Sequence, residues 1–210
     1  MAESVFIPGP AGRLEALAEV ESEPPCAVAV VCHPHPLYGG SYRNKVVHML
    51  AASFREAGAA TVRFNFRGVG LSAGEYDEGQ GELEDARAVL DWARAWRPEA
   101  REVWLAGFSF GAWVAWRLAC EVSVDRLVTV APAVTLFADR GGVTRCRIDA
   151  DWLLVIGEKD EIVSPDAVLD WARAQPAPPA IETVPEAGHF FHGRLNLLRE
   201  AVLRHVHCGH

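Results

Sequence analysis

The chain is short of several things, and each shortage narrows what it can be. No apolar run approaches the ~20 residues needed to cross a bilayer, so no membrane-spanning helix is expected. The opening stretch, MAESVFIPGP, has neither a basic segment nor a long apolar one, so no secretory signal is expected. Both points favour a cytoplasmic protein that does not engage a membrane. The five cysteines (Cys26, Cys32, Cys120, Cys146 and Cys208) are odd in number and include no Cys-x-x-Cys pair. They read as scattered free thiols in a reducing compartment.

Positive charge is also scarce: 20 Lys and Arg face 28 Asp and Glu, for a formal net charge of −8. Such a chain repels phosphate backbones, so nucleic acid is not an expected partner. No Walker pattern occurs. Gly68, Gly70 and Gly74 are spaced one residue too widely for a dinucleotide fingerprint, and no helix is expected to open there. There is no internal repeat, low-complexity tract or linker. A chain of 210 residues without such breaks is read as one domain, residues 1–210. The gap between Val134 and Asp151 is too short for a lid domain.

What is present is apolar and regularly punctuated. Half of the residues are hydrophobic, enough for a sizeable core. SVFIPGPAGRLEALAEV reads as a hairpin around a Gly/Pro turn. CAVAVVCHP is a continuous apolar run without polar alternation, the mark of a strand covered on both faces. NKVVHMLAASFREAG comes next at helical spacing, with Gly58 as its stop. The alternation then repeats: AATVRFNF, ELEDARAVLDWARAWRP, EVWLAGF, GAWVAWRLACEV, RLVTVAPAV, DWLLVIGEKD, PDAVLDWARAQ, AIETVPEAGH and NLLREAVLRHV. Strand and helix in turn predict an α/β fold with a mostly parallel sheet.

Two stretches fit Gly-x-Ser-x-Gly: GFSFG around Ser109 and GLSAG around Ser72. A serine used as a nucleophile sits on a tight turn between a strand and a helix, exposed above the sheet. Ser109 has EVWLA before it and GAWVAWRLA after it. Ser72 is followed by a glycine-rich acidic stretch that reads as a loop. Ser109 is therefore the expected nucleophile and Ser72 a structural residue.

A serine hydroxyl needs a base, and the base needs an orienting acid. His189, in PEAGHFFHG, comes after the last expected strand and can fold back over the sheet's carboxyl edge; His192 reads as a helix-start residue. In GEKDEIVSP, after another strand, Asp160 is the expected acid, and Glu158 and Glu161 read as solvated carboxylates. One oxyanion donor is expected from the Phe110 amide. The other is expected from the loop HPHPLYGGS, where Pro34 and Pro36 have no N–H. Leu37 is chosen over Tyr38. His33 and His35 are expected to hold this loop in shape. Tyr38, Phe108 and Phe190, with Phe110 and Phe191, are candidates to line the substrate site. No cofactor is expected. The terminal HVHCGH is not expected to hold a metal.

Taken together, HPHPLYGGS, RFNFRGVGLSAGEYDEGQGELED, LAGFSFGAW, GEKDEIVSP and GHFFHGRL resemble a group of small, lid-less bacterial α/β-hydrolases. That group is related to dienelactone hydrolases and to prolyl-oligopeptidase-like esterases. The resemblance implies an eight-stranded, mostly parallel sheet with one antiparallel strand near the start, flanked by helices and without a lid. It also implies that Ser109, Asp160 and His189 act together. Dienelactone hydrolases proper use cysteine where this chain has Ser109, which argues against that activity. The expected function is hydrolysis of a small carboxylic ester or thioester. A peptidase or acyltransferase on the same residues, and a non-catalytic binding protein on the same fold, are the alternatives.

Overall fold

The computed structural model describes residues 1–134 and 145–207. The chain opens with the hairpin β1 (Ala2–Gly9) and β2 (Gly12–Glu19) and enters the sheet's centre with β3 (Ala27–Cys32). The helix α1 (Lys45–Glu56) leads to β4 (Ala59–Phe64), and α2 (Gln80–Trp96) to β5 (Glu102–Phe108). Next come α3 (Phe110–Ala119), β6 (Arg126–Val130), β7 (Asp151–Gly157), α4 (Pro165–Arg173), β8 (Ala180–Val184) and α5 (Leu195–His205).

The eight strands form one sheet in the order β1-β2-β4-β3-β5-β6-β7-β8. β2 pairs antiparallel with both β1 and β4, and all remaining pairs are parallel. One strand near the start thus runs against the rest. Every residue of β3 and β4 is buried, as strands covered on both faces require; β3 is wholly apolar, and the one charge in β4, Arg63, pairs with Glu19 at 2.8 Å. Large rings fill the space between sheet and helices. Trp104 of β5 meets Phe54 of α1 edge-on at 5.4 Å, and both are fully buried. Each such side chain contributes ~2–3 kcal/mol by leaving water.

Local signals set the helix ends. Asn44 caps α1, its Oδ1 accepting from the Val46 and Val47 amides at 2.9 and 3.4 Å. Glu82 folds back at the start of α2 to accept from the Gly79 and Asp77 amides at 2.7 and 2.9 Å. Burial raises its carboxyl pKa despite those bonds. α3 is buried along all ten of its residues, which fits its apolar sequence and its place under the sheet's centre.

Two expectations are corrected. The strand read through Val134 ends at Val130, because Ala131 turns out of the sheet with φ 45°. Its amide still reaches the Val155 carbonyl at 2.8 Å, and the chain then bends back so that the Ala133 amide meets the Ser109 carbonyl at 3.2 Å. The free-thiol reading fails for Cys26, which is disulfide-bonded, and for Cys120 and Cys146, which form a disulfide from the end of α3 to the segment before β7. That bond spans 26 residues, a separation that composition and spacing do not reveal. Cys32 is a buried free thiol whose pKa is pushed up by desolvation. Among the described residues, no helix is long and apolar enough to cross a membrane. The gap expected to lack a lid lies partly outside the described residues, as do Cys208 and His210 of the tail.

Candidate active site

The site is assembled where β5 ends and α3 begins. Ser109 occupies the single residue between them, with φ 56° and ψ −116°. A non-glycine residue held there stores ~1–3 kcal/mol of strain, which the surrounding packing must offset. The flanking glycines explain how the chain can be this tight. A Cβ on Gly107 would lie 2.1 Å from the Gly111 carbonyl oxygen, and one on Gly111 would lie 2.4 Å from the carbonyl oxygens of Cys32 and His33. Any side chain at either position collides with backbone. The start of α3 then faces the serine with its positive dipole end.

His189 Nε2 lies 3.0 Å from Ser109 Oγ, and its Nδ1 lies 2.8 Å from Asp160 Oδ2 and 3.1 Å from Oδ1. Asp160 is reached through the β7 loop and His189 through the β8 loop, so three side chains far apart in sequence meet at the sheet's carboxyl edge. Asp160 is itself held: its Oδ1 accepts from the Ile162 and Val163 amides, each at 2.9 Å. The Asp160 side chain has no exposure and that of His189 has 3%. A buried carboxylate against Nδ1 directs Nε2 toward the serine as an acceptor, the arrangement a general base requires.

Two further carboxylates tie these loops together, and neither stands out in the sequence. Glu161 Oε2 accepts from the His189 amide at 3.1 Å, and Glu158 Oε2 accepts from the Glu186 amide at 3.1 Å. Both are exposed, as expected of solvated carboxylates, but each also holds a backbone amide. Each clamps the histidine loop to the acid loop.

Ser72 is occupied quite differently. Its Oγ accepts from the Glu15 amide at 2.9 Å and donates to the Asn65 carbonyl at 2.7 Å. It fastens a loop to β2 and to the residue just after β4, and it bonds to no base.

The loop after β3 is shaped by its histidines. His33 is fully buried; its Nδ1–H donates to the Pro34 carbonyl at 2.6 Å, and its Nε2 accepts from the Phe66 amide at 3.0 Å. Desolvation pushes its pKa down to about 4, so it is neutral and its tautomer is fixed. His35 caps a short turn, Pro36–Tyr38, accepting from the Leu37 amide through Nδ1 at 3.2 Å; its Nε2 lies 3.3 Å from the Tyr76 hydroxyl. The Leu37 amide, expected to serve the oxyanion, is thus engaged by His35. The amides of Tyr38 and Gly40 both go to the His35 carbonyl.

A cavity of about 440 Å³ opens beside the serine. It is lined by Pro34, His35, Tyr38, Gly39, Gly40, Asn44, Ser109, Ile162, His189 and Phe190. Tyr38 and Phe190 are thus part of the cavity lining. Phe108 is not: it is fully buried, its ring 4.9 Å beneath that of His189. Phe110 and Phe191 are also fully buried.

Known proteins share this architecture. Residues 21–145 match the model of the X-Pro dipeptidyl-peptidase (S15) family. The structure is similar to that of XC6422 from Xanthomonas campestris, an α/β serine hydrolase without a lid. The two are 41% identical with a TM-score of 0.89, over 98% of this chain and 93% of that one. An α/β serine hydrolase homologue from Coxiella burnetii is also 41% identical, with a TM-score of 0.87 over 96% of each chain. An uncharacterized Rickettsia prowazekii protein, RP471, is 37% identical over 79% of this chain and 70% of its own length. The chain belongs to the S15 peptidase family and, with these structural relatives, to the α/β serine hydrolases that have no lid.

Proposed function

We propose that this hydrolase cleaves small carboxylic esters or thioesters, with Ser109 as nucleophile, His189 as general base and acid, and Asp160 as the orienting acid. The supporting observation is the hydrogen-bonded chain from Asp160 through His189 to a strained, elbow-held Ser109. Ser109 Oγ attacks the carbonyl carbon while His189 Nε2 takes its proton. Asp160 accepts Nδ1–H and stabilises the imidazolium. The Phe110 amide, in the first turn of α3, donates to the developing oxyanion. His189 then protonates the leaving group, and water activated by the same nitrogen releases the acyl group.

The family match gives a peptidase reading some weight. A dipeptidyl-peptidase must hold a cationic amino terminus, and no carboxylate lines the cavity among the described residues. That difference favours the ester. The test is labelling by a fluorophosphonate probe, followed by turnover of p-nitrophenyl esters, thioesters and Xaa-Pro anilides. Labelling at residue 109 with ester turnover is expected. An unlabelled protein, or one that cleaves only the anilides, overturns the proposal.

A further inference from the structure

The cavity beside Ser109 is walled mainly by apolar and backbone surface; the polar side chains in its described lining that the proposed chemistry leaves unused are His35, Tyr38 and Asn44. Asn44 lines it and is half-buried. Its Oδ1 is committed to the Val46 and Val47 amides. An amide nitrogen cannot accept those bonds, so the orientation of the side chain is fixed. Its Nδ2 has no acceptor among the described residues. Tyr38, Ile162 and Phe190 line the same cavity, exposed to 86, 50 and 42%. The described lining thus combines apolar cover, an oriented NH₂ donor and no carboxylate.

We propose that Asn44 is a specificity-determining residue: its Nδ2 donates to an acceptor oxygen carried by the substrate away from the reacting carbonyl. The favoured substrates are then oxygen-bearing acyl esters, such as oxo-acyl esters, rather than plain alkanoyl ones. This rests on the hydrolase reading. Capping and recognition are separable because they use opposite ends of one amide. Aspartate and serine are both good cap residues that keep an acceptor for the helix amides, and neither offers the NH₂ donor.

The experiment measures kcat/KM for two matched esters, p-nitrophenyl pentanoate and p-nitrophenyl 4-oxopentanoate, which differ by one keto oxygen. The native protein is expected to favour the oxo ester by about 3- to 10-fold, the size of one hydrogen bond. In Asn44→Asp and Asn44→Ser that ratio is expected to fall to about 1, with the thermal midpoint kept because the cap survives. A native ratio near 1, or a preference that persists in both variants, overturns the proposal. If the native protein hydrolyses neither ester, the ester reading itself has failed, which is a different result.

Discussion

Ser109 and Ser72 sit in the same five-residue pattern and are almost equally buried, at 8 and 9% exposure, yet their hydroxyls have opposite employment. At Ser72 both the proton and a lone pair are committed to backbone, joining Asn65 to Glu15. At Ser109 the hydroxyl faces an imidazole whose far nitrogen is held by a buried carboxylate. The pattern itself does not distinguish them. The residues on its C-terminal side do: a ten-residue buried helix comes after one serine, a turning loop after the other. Glycines flank both serines. At the first they let strand, helix and neighbouring backbone pass in contact, and at the second they turn a loop.

The sharpest way to break this comparison is to delete each hydroxyl. Ser109→Ala is expected to lower kcat/KM by about 10⁴-fold or more, with circular dichroism and thermal midpoint nearly unchanged. Residual turnover above a few per cent would dissolve the distinction between the two serines. Asp160→Asn comes next, at about 10⁴-fold. The asparagine Oδ1 can still accept from the Ile162 and Val163 amides, so the loop persists. Its NH₂ would face His189 Nδ1 and demand the wrong tautomer. A full loss of rate with an unchanged fold is the expected signature, read by kinetics alongside thermal melting.

The third test moves from chemistry to the scaffold. His33 is neutral in the folded protein down to about pH 4, whereas an unfolded chain protonates its histidines near 6.5. Between those values the unfolded state binds more protons, so stability falls as pH drops through this window. The loss approaches about 3 kcal/mol and is absent above pH 7. Thermal midpoints measured from pH 7 to pH 4 should fall more steeply for the native protein than for His33→Gln. Equal slopes would mean that the loop does not depend on a neutral, buried imidazole. Ser72→Ala is expected to cost about 1–3 kcal/mol because the Glu15 amide loses its acceptor. Its kcat/KM should stay within about twofold of native, because Ser72 bonds only to the Glu15 and Asn65 backbone and to no residue of the site. A large loss of rate at constant stability would contradict the structural role given to this serine.

The same residues divide what is legible in the sequence from what is not. The α/β alternation, the elbow and the loops carrying Asp160 and His189 are legible, because each rests on local signals: apolar runs, glycine spacing, and a residue just past a strand. The direction of the Leu37 amide is not. It depends on whether a neighbouring imidazole captures it, which backbone torsions decide. Phe108 misleads for a related reason. Its strand is buried on both faces from Trp104 onward, so alternation carries no hint of which side faces the cavity. The disulfide between Cys120 and Cys146 is hidden because pairing is a property of folded distance. Asn44 is a helix cap in the fold, and its other amide end acquires meaning only once the cavity is seen.

Glu161 sharpens the comparison at its finest grain. The sequence presents it as one acidic loop residue among several, but it accepts from the backbone of the very residue that faces Ser109. Nothing comparable braces Ser72, which needs no mobile partner held at reacting distance. Glu161 acts through His189 and touches no reacting atom in this arrangement, so it is a positioning residue. Glu161→Ala should release the histidine loop from the acid loop and reduce kcat by about 3- to 10-fold, in line with one charge-assisted hydrogen bond, while KM changes little. Glu161→Gln keeps an oxygen for the His189 amide and should recover most of that loss. The side chain is exposed, so neither variant is expected to move the thermal midpoint by more than a degree or two. If alanine and glutamine behave alike, the carboxylate's geometry is irrelevant. The histidine loop would then be held by its own turn and by Phe191, which is buried against the core with φ 52°.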